Sequence, residues 1–221
     1  MSKAQPSRRQ VARGEREPHT QKRGEERRRQ LIDAAARLLQ EREIDEISLN
    51  DVAAEAGIPL TSTYHFYGDL HSLLAALAAR YGEEFVRLLR RPLPAAKISK
   101  WQDVLELMIA RSVRYYGANP GARKLLIDGK VPADIKFADR LHDRVLGALL
   151  ESTLARYFVL PEFPERTRVC YHVVEIVDLM LQLSVIESRR ITSAMTRHAH
   201  LACIGYLRAF LPEKLPRADR G

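Results

Sequence analysis

Residues 48–74 read SLNDVAAEAGIPLTSTYHFYGDLHSLL, and this stretch decides the fold. Ser48 stands before a short amphipathic run, and its spacing to Asp51 is that of a capping box with Asp in place of Glu. Gly57 breaks the run. A second short run, Leu60 to Phe66, ends in the cluster Tyr64-His65-Phe66-Tyr67, and Asp69 opens a third. Two short helices joined through a glycine turn, the second rich in hydroxyls and aromatics, predict a helix-turn-helix that reads DNA. Leu31, Ala35, Leu38, Leu39, Val52, Ala53, Ala56, Ile58 and Leu73 supply a small core. That core has to hold the second helix in place, because seven residues are too few for a stable isolated helix.

Charge is distributed unevenly around this stretch. The 221-residue chain carries a formal +8. Residues 1–30 hold ten Lys/Arg against four Asp/Glu, a net +6, whereas residues 31–80 hold three against eight, a net −5. The segment that reads the DNA therefore cannot hold a polyanion by its own net charge. The basic arm and the start of the first helix, including Arg27 and Arg28, are expected to supply most of the counterion release.

Apolar residues recur at i, i+3, i+4 and i+7 nearly throughout, and no segment alternates with period two. The predicted fold class is all-α, with about nine helices. The expected layout has a polar arm over 1–24, disordered until bound, and a DNA-binding domain over 25–85 with its motif at 48–67. A second helical region follows over 95–212, then a polar tail over 213–221. In the first domain, helices are expected from about Glu25 to Arg42, after Ser48, over Leu60 to Phe66, and from Leu70 towards Arg90. Arg91-Pro92-Leu93-Pro94 marks the domain break. Further helices are expected over Lys100–Ala118, with Ser99 and Gln102 at capping-box spacing, and from the Asn119-Pro120-Gly121 turn to about Asp128. The last three are predicted over Ala133 to Val159, Glu165 to Ser188, and Thr192 to Leu211.

The match of RRRQLIDAAARLL, then SLNDVAAEAGI, then TSTYHFYGDLHSLL, in that order and spacing, resembles the tetracycline-repressor (TetR) family. A hydroxyl residue opening the second helix, Ala-Gly-Ile at the turn and Tyr-x-aromatic-aromatic ending the third helix all fit that pattern. The chain departs from it at Glu43, where a glycine is common and a left-handed backbone would be costly for glutamate. It departs again at Pro59, at Thr61, and at Leu70, where a phosphate-binding lysine is usual and the neighbouring His71 is a partial substitute when protonated. Residues expected at DNA are Ser48, Leu60, Thr61, Ser62, Tyr64, His65 and His71, with Arg27 and Arg28. Hydroxyls and imidazole suit phosphates or base edges, and Leu60 suits a thymine methyl. Phe66 and Tyr67 read as packing residues.

For the remainder the resemblance implies that residues 95–212 form an effector-binding and dimerisation domain, with a homodimer formed through the last two long helices, a palindromic double-stranded operator, and an unknown small-molecule effector. It also implies repression in the cytoplasm, at the nucleoid. The apolar faces Val169, Val173, Ile176, Val177, Met180, Val185 and Ala194, Leu201, Ile204, Leu207, Leu211 are the expected dimer seam. Trp101, Met108, Arg111, Tyr115, Tyr116, Leu126, His142 and Leu146 are candidates to line an effector pocket. Glu175, Asp178 and Gln182 share a helix face there, as a polar stripe that orients a ligand, pairs with Arg111 or Arg114, or forms an interface edge. Trp101 also reads as a packing anchor.

Catalysis, cofactor and metal are not expected. The sequence has no nucleophile elbow, phosphate loop or HExxH. His172 and Glu175 share a helix face but lack a third ligand, and His198 and His200 do not share one. Cys170 and Cys203, the two cysteines, read as reduced thiols. No unbroken apolar run approaches the roughly 18 to 20 residues that span a bilayer, and the basic N-terminus lacks a signal-peptide apolar region. The alternatives to a repressor are an activator, an architectural DNA-binding protein and, from another class, an all-helical carrier or enzyme without DNA binding.

Overall fold

A computed structural model describes residues 16–128 and 133–218, with side chains described for 22–128 and 144–218. The described residues form nine α-helices and no strand. They are α1 (Arg16–Glu41), α2 (Leu49–Ala56), α3 (Leu60–Phe66), α4 (Leu70–Leu89), α5 (Trp101–Ala118), α6 (Pro120–Leu126), α7 (Ala133–Tyr157), α8 (Arg166–Ser188) and α9 (Ser193–Leu207). Two compact units divide between Leu77 and Ala78.

The first unit is built as its punctuation requires. Ser48 is extended (φ −121°, ψ 165°), and its hydroxyl accepts from the Asp51 N–H at 3.2 Å while the Asp51 carboxylate accepts from the Ser48 N–H at 2.8 Å. The Ser48 hydroxyl bond, then its N–H, hold the Asp51 carboxyl below the usual aspartate range. Gly57 ends α2 in the left-handed region (φ 65°) and donates back to the Ala53 and Ala54 carbonyls. That conformation suits glycine, which has no Cβ to clash. Asp69 accepts the Ser72 N–H at 2.7 Å and so opens α4.

Of the expected core, Leu31, Ala35, Leu39, Val52, Ala53, Ile58 and Leu73 are buried, joined by Ala34, Leu49, Leu74 and Leu77; Leu38 and Ala56 are half-buried. The left-handed strain considered for Glu43 does not arise. The residue is extended (φ −76°, ψ 163°) and its N–H is capped by Glu46 at the start of a 3₁₀ turn, a geometry open to any residue.

Helix α1 begins at Arg16, not near Glu25. Residues 16–24 of the expected arm are therefore helical; residues 1–15 lie outside the described part. Pro18 falls in the first turn, where its missing N–H costs nothing. The Glu, Gln, Lys and Arg that follow are good helix formers, leaving Gly24 as an isolated weak point.

The second unit places α7 against α8 and α9 against α8, with α5 beside α7 and α9. Gly147 is where α7 comes closest to α8: a Cβ there would stand 2.8 Å from the Tyr171 backbone N and Cα. The cap of α5 differs from the expected Ser99–Gln102 pair. The Asp103 carboxylate takes the Ser99 and Lys100 N–H groups at 2.7 and 3.0 Å, while Gln102 is buried. Burial would raise the Asp103 carboxyl, but these N–H bonds, with the Ser99 hydroxyl, hold it low.

Gln102 instead donates to the Glu213 carbonyl, one of several bonds that tie down what the sequence suggested was a polar tail. The Trp101 indole N–H donates to the Pro212 carbonyl at 2.9 Å, and an Arg217 Nη2 donates to the Ile98 carbonyl at 2.7 Å. The Val159 and Ala218 N–H groups pair with the Pro216 and Tyr157 carbonyls, and the Arg217 guanidinium lies over the Phe158 ring.

Candidate nucleic-acid interface and effector cavity

Helix α3 presents one face and buries the other. Thr63 is fully buried, its hydroxyl returned to the Pro59 carbonyl at 3.3 Å. The positions around it point outward: Thr61 and His65 are exposed, Tyr64 is 55% exposed, and Leu60 and Ser62 are half-buried. Proline at the helix cap supplies no side-chain oxygen, but its carbonyl accepts the Thr63 N–H at 3.0 Å. The aromatic end of the helix is divided. Phe66 and Tyr67 are half-buried, with Phe66 edge-on to His65 (centroids 5.4 Å apart) and the Arg28 guanidinium 5.8 Å from the Phe66 ring centre. The N-terminal half of α1 is thereby fixed beside the C-terminal end of α3, with Lys22, Arg23, Arg27 and Arg28 exposed on it.

Charge in this unit follows the division seen in the sequence. Arg37 is paired with Glu55 at 2.6 Å and Arg42 with Asp51 at 3.6 Å, both at the surface. Two of the three bases in residues 31–80 are thus engaged with acids of the same unit. Ser48, another residue expected at DNA, is exposed, yet its hydroxyl serves the α2 cap. His71 is half-buried in the first turn of α4, where its charge helps to lower the Asp69 carboxyl behind the larger effect of the Ser72 bonds.

The second unit encloses a small cavity of about 50 Å³. Its wall comes from Phe85 and Leu89 of α4, Leu105, Met108, Ile109, Ser112 and Tyr116 of α5, Leu146 and Leu150 of α7, and Val173, Val174, Val177, Asp178 and Leu181 of α8. Of the residues expected to line a pocket, Met108, Tyr116, Leu146 and Asp178 do so. Trp101, Arg111 and Tyr115 are engaged elsewhere. Trp101 is a fully buried anchor for the tail. Arg111 does not meet the polar stripe. Its guanidinium donates to the Leu88, Leu89, Arg91 and Pro92 carbonyls, at 3.3, 3.4, 2.5 and 3.0 Å, at and just beyond the C-terminal end of α4. Tyr115 donates to the Tyr81 carbonyl at 3.2 Å and stacks beside Phe85. Leu126 is buried outside the cavity wall. The His142 side chain lies outside the described residues. Glu175 is separated from Asp178: one of its carboxylate oxygens is buried without a hydrogen-bond partner among the described residues.

The expected dimer seam also divides. Val169, Val173, Val185, Leu207 and Leu211 are buried within the unit, while Ile176, Val177, Met180 and Ile204 are half-buried. The large apolar side chains left exposed on these two helices are Leu179, Ile186 and Leu201, at 53, 56 and 58%. Helix α8 is apolar enough, at a mean hydropathy of 1.7 over 18 residues, to match a membrane span by length and composition, although only 33% of that window is buried. The unbroken-run criterion misses it because Glu175 and Asp178 interrupt the run. Among the described residues no three His, Cys, Asp or Glu are grouped to hold a metal ion. His172 is bonded through Nδ1 to the Tyr206 hydroxyl at 2.8 Å. Both cysteines are buried, and burial pushes each thiol up to about 12.

Comparison with known proteins agrees with this geometry. Residues 31–77 match the family model for bacterial regulatory proteins of the tetR family. A TetR-family transcriptional regulator from Streptomyces coelicolor is similar over 84% of this chain and 99% of its own, with 24% identity and a TM-score of 0.64. A TetR regulator from Rhodococcus sp. RHA1 is similar over 85% and 97%, with 15% identity and a TM-score of 0.60. The fatty acid degradation regulator FadR from Bacillus halodurans is similar over 82% and 96%, with 15% identity and a TM-score of 0.57. Residues 31–77 are thus a TetR-family DNA-binding domain, carried on a chain with the all-α fold of TetR-family transcriptional regulators.

Proposed function

We propose that this protein is a homodimeric repressor that binds a palindromic operator and is modulated by a small molecule entering the α4–α5–α7–α8 cavity. The observation that carries the reading is the display of Thr61, Tyr64 and His65 over a buried Thr63. A helix too short to be stable alone is held by its core with its polar face outward, which suits it to enter a major groove. The exposed bases of α1 supply attraction that the acidic α2–α3 segment lacks. The protein would act in the cytoplasm, at the nucleoid.

Substituting His65→Ala tests the assignment of the reading face. Operator affinity is expected to fall by about 1–3 kcal/mol, the usual worth of a good base contact, with the thermal unfolding midpoint unchanged. Intact binding would make His65 an ordinary surface residue.

The dimer is proposed to close over Leu179, Ile186 and Leu201. Three large apolar side chains left bare on adjacent helices favour burial against a second copy, where a two-fold axis would make the patch self-complementary. Leu179→Lys combined with Leu201→Glu is expected to convert a dimer to a monomer in sedimentation at micromolar concentration. A dimer that persists in the double variant would move the interface elsewhere.

Effector binding is proposed to change the equilibrium position of α4, so that ligand and operator affinities are reciprocally coupled. The cavity of about 50 Å³ has room for one or two waters. A drug-sized ligand needs several hundred Å³, so binding has to open it by moving the surrounding helices.

A further inference from the structure

We propose that Phe66 is a positioning residue, whose ring holds the His65 imidazole in place for base reading and is itself seated by Gly24 and Arg28 of α1. This rests on the reading of α3 as the element that meets DNA. His65 and Phe66 are the last two residues of α3, and consecutive side chains leave a helix about 100° apart. Their rings nevertheless meet, with centroids 5.4 Å apart and planes at 71°, an edge-on arrangement that aromatic rings favour. His65 is exposed, so this contact limits a rotation that solvent would leave free. Phe66 is half-buried and is held in turn by α1. Gly24 and Arg28 stand at i and i+4, on one face of that helix. A Cβ at Gly24 would lie 3.8 Å from Phe66 Cε1, and the Arg28 guanidinium lies over the ring, 5.8 Å from its centre. The backbone of α1 thus approaches the ring at Gly24, and Arg28 adds a cation to its face.

Base reading depends on where a side-chain nitrogen sits, and a loosely supported group loses its contact. Phe66 supplies that support for His65. The His65 ring and the Arg28 guanidinium share one ring centre and so lie within about 11 Å of each other, a span of about three base steps at roughly 3.4 Å each. An imidazole at a base edge and a guanidinium at a nearby phosphate fit that span. Phosphate contacts act on every duplex alike, whereas the aim of His65 matters only on the right sequence. Loss of the Phe66 ring therefore shows in discrimination between duplexes rather than in general affinity.

The test titrates the full-length protein with two duplexes at one salt concentration: the fragment enriched from a random pool, and a scrambled duplex of the same length and composition. The readout is the ratio of the two affinities. Phe66→Leu keeps an apolar side chain beneath α1 and removes the ring. It is expected to lower the ratio about fivefold while scrambled-duplex binding changes by less than about twofold, which also reports a folded domain. Phe66→Tyr keeps the ring and is expected to hold the ratio within about twofold of native. In a His65→Ala background, Phe66→Leu is expected to lower the ratio by less than about twofold, because no imidazole is left to position. Arg28→Gln is expected to weaken both duplexes, and to lower the ratio about threefold only where Phe66 is present. Without DNA, the His65 imidazole proton resonances, assigned by their loss in His65→Ala, are expected to carry a ring-current shift that disappears in Phe66→Leu. The proposal is overturned if Phe66→Leu weakens both duplexes equally, if its effect is undiminished in His65→Ala, or if the His65 resonances stay in place. A ratio lowered by His65→Ala and untouched by Phe66→Leu overturns the positioning role alone. A ratio untouched by His65→Ala, or a pool that enriches no sequence, overturns the reading of α3 along with it.

Discussion

Trp101→Ala is expected to destabilise the second unit by about 3–5 kcal/mol, the usual cost of truncating a large buried aromatic. Trp101 is fully buried at the first position of α5, and its indole N–H holds the Pro212 carbonyl at 2.9 Å. The substitution therefore leaves a cavity and also loosens the strap formed by residues 212–218. Trp101→Phe separates the two effects. It keeps most of the ring volume but leaves the Pro212 carbonyl without its donor, and is expected to cost about 1–3 kcal/mol. Removing residues 212–221 should cost less in a Trp101→Phe background than in the native chain, because the two changes share one contact. Denaturant unfolding of the native chain, the two substitutions, the deletion and the deletion in Trp101→Phe checks this. A loss below about 1 kcal/mol for Trp101→Ala would mean that α5 is not anchored through the tail.

Replacing Lys22, Arg23 and Arg27 together by Gln is expected to weaken DNA binding and flatten its salt dependence. These bases are exposed on α1, and glutamine keeps the helix. Arg28 is left in place because it lies over Phe66 at the end of α3. If all three bases neutralise phosphates, the slope of log K against log salt becomes shallower by about 2.7, at about 0.9 per contact. Between 50 and 200 mM salt the native protein would then lose about fortyfold more affinity than the triple variant. Filter binding or anisotropy across that range supplies the slopes. Equal slopes would remove Lys22, Arg23 and Arg27 from the interface and leave the electrostatic attraction to the other bases of residues 1–30.

Much of the first unit was legible because its signals are local. Ser48 with Asp51, Gly57, and Asp69 with Ser72 each fix a helix end through bonds spanning at most four residues. The predicted limits of the third helix, Leu60 to Phe66, coincide with those observed. The outward face of that helix was also legible, since the residues left out of it included the buried Thr63.

What escaped the sequence depends on contacts distant along the chain. The strap's bonds to Trp101 and Ile98 join residues separated by 111 and 119 positions, and nothing in Pro212 to Arg217 announces them. Arg111 was expected at a pocket because a cation on an apolar helix suggests a ligand. It serves instead carbonyls at and just after the end of α4, which becomes visible once α5 is placed beside that end. Glu175 and Asp178 share a broad face at i and i+3, but they stand about 60° apart around α8, which places Asp178 on the cavity and Glu175 beyond its edge.

As proposed, α3, held by its core and assisted by the basic α1, reads a defined DNA sequence as one half of a dimer. Selecting bound DNA from a random pool and footprinting the enriched fragment tests it most directly. A discrete two-fold palindrome is expected, protected on half-sites about one helical turn, or a multiple of it, apart. Uniform protection without an enriched sequence, or no binding even at low salt, would contradict it.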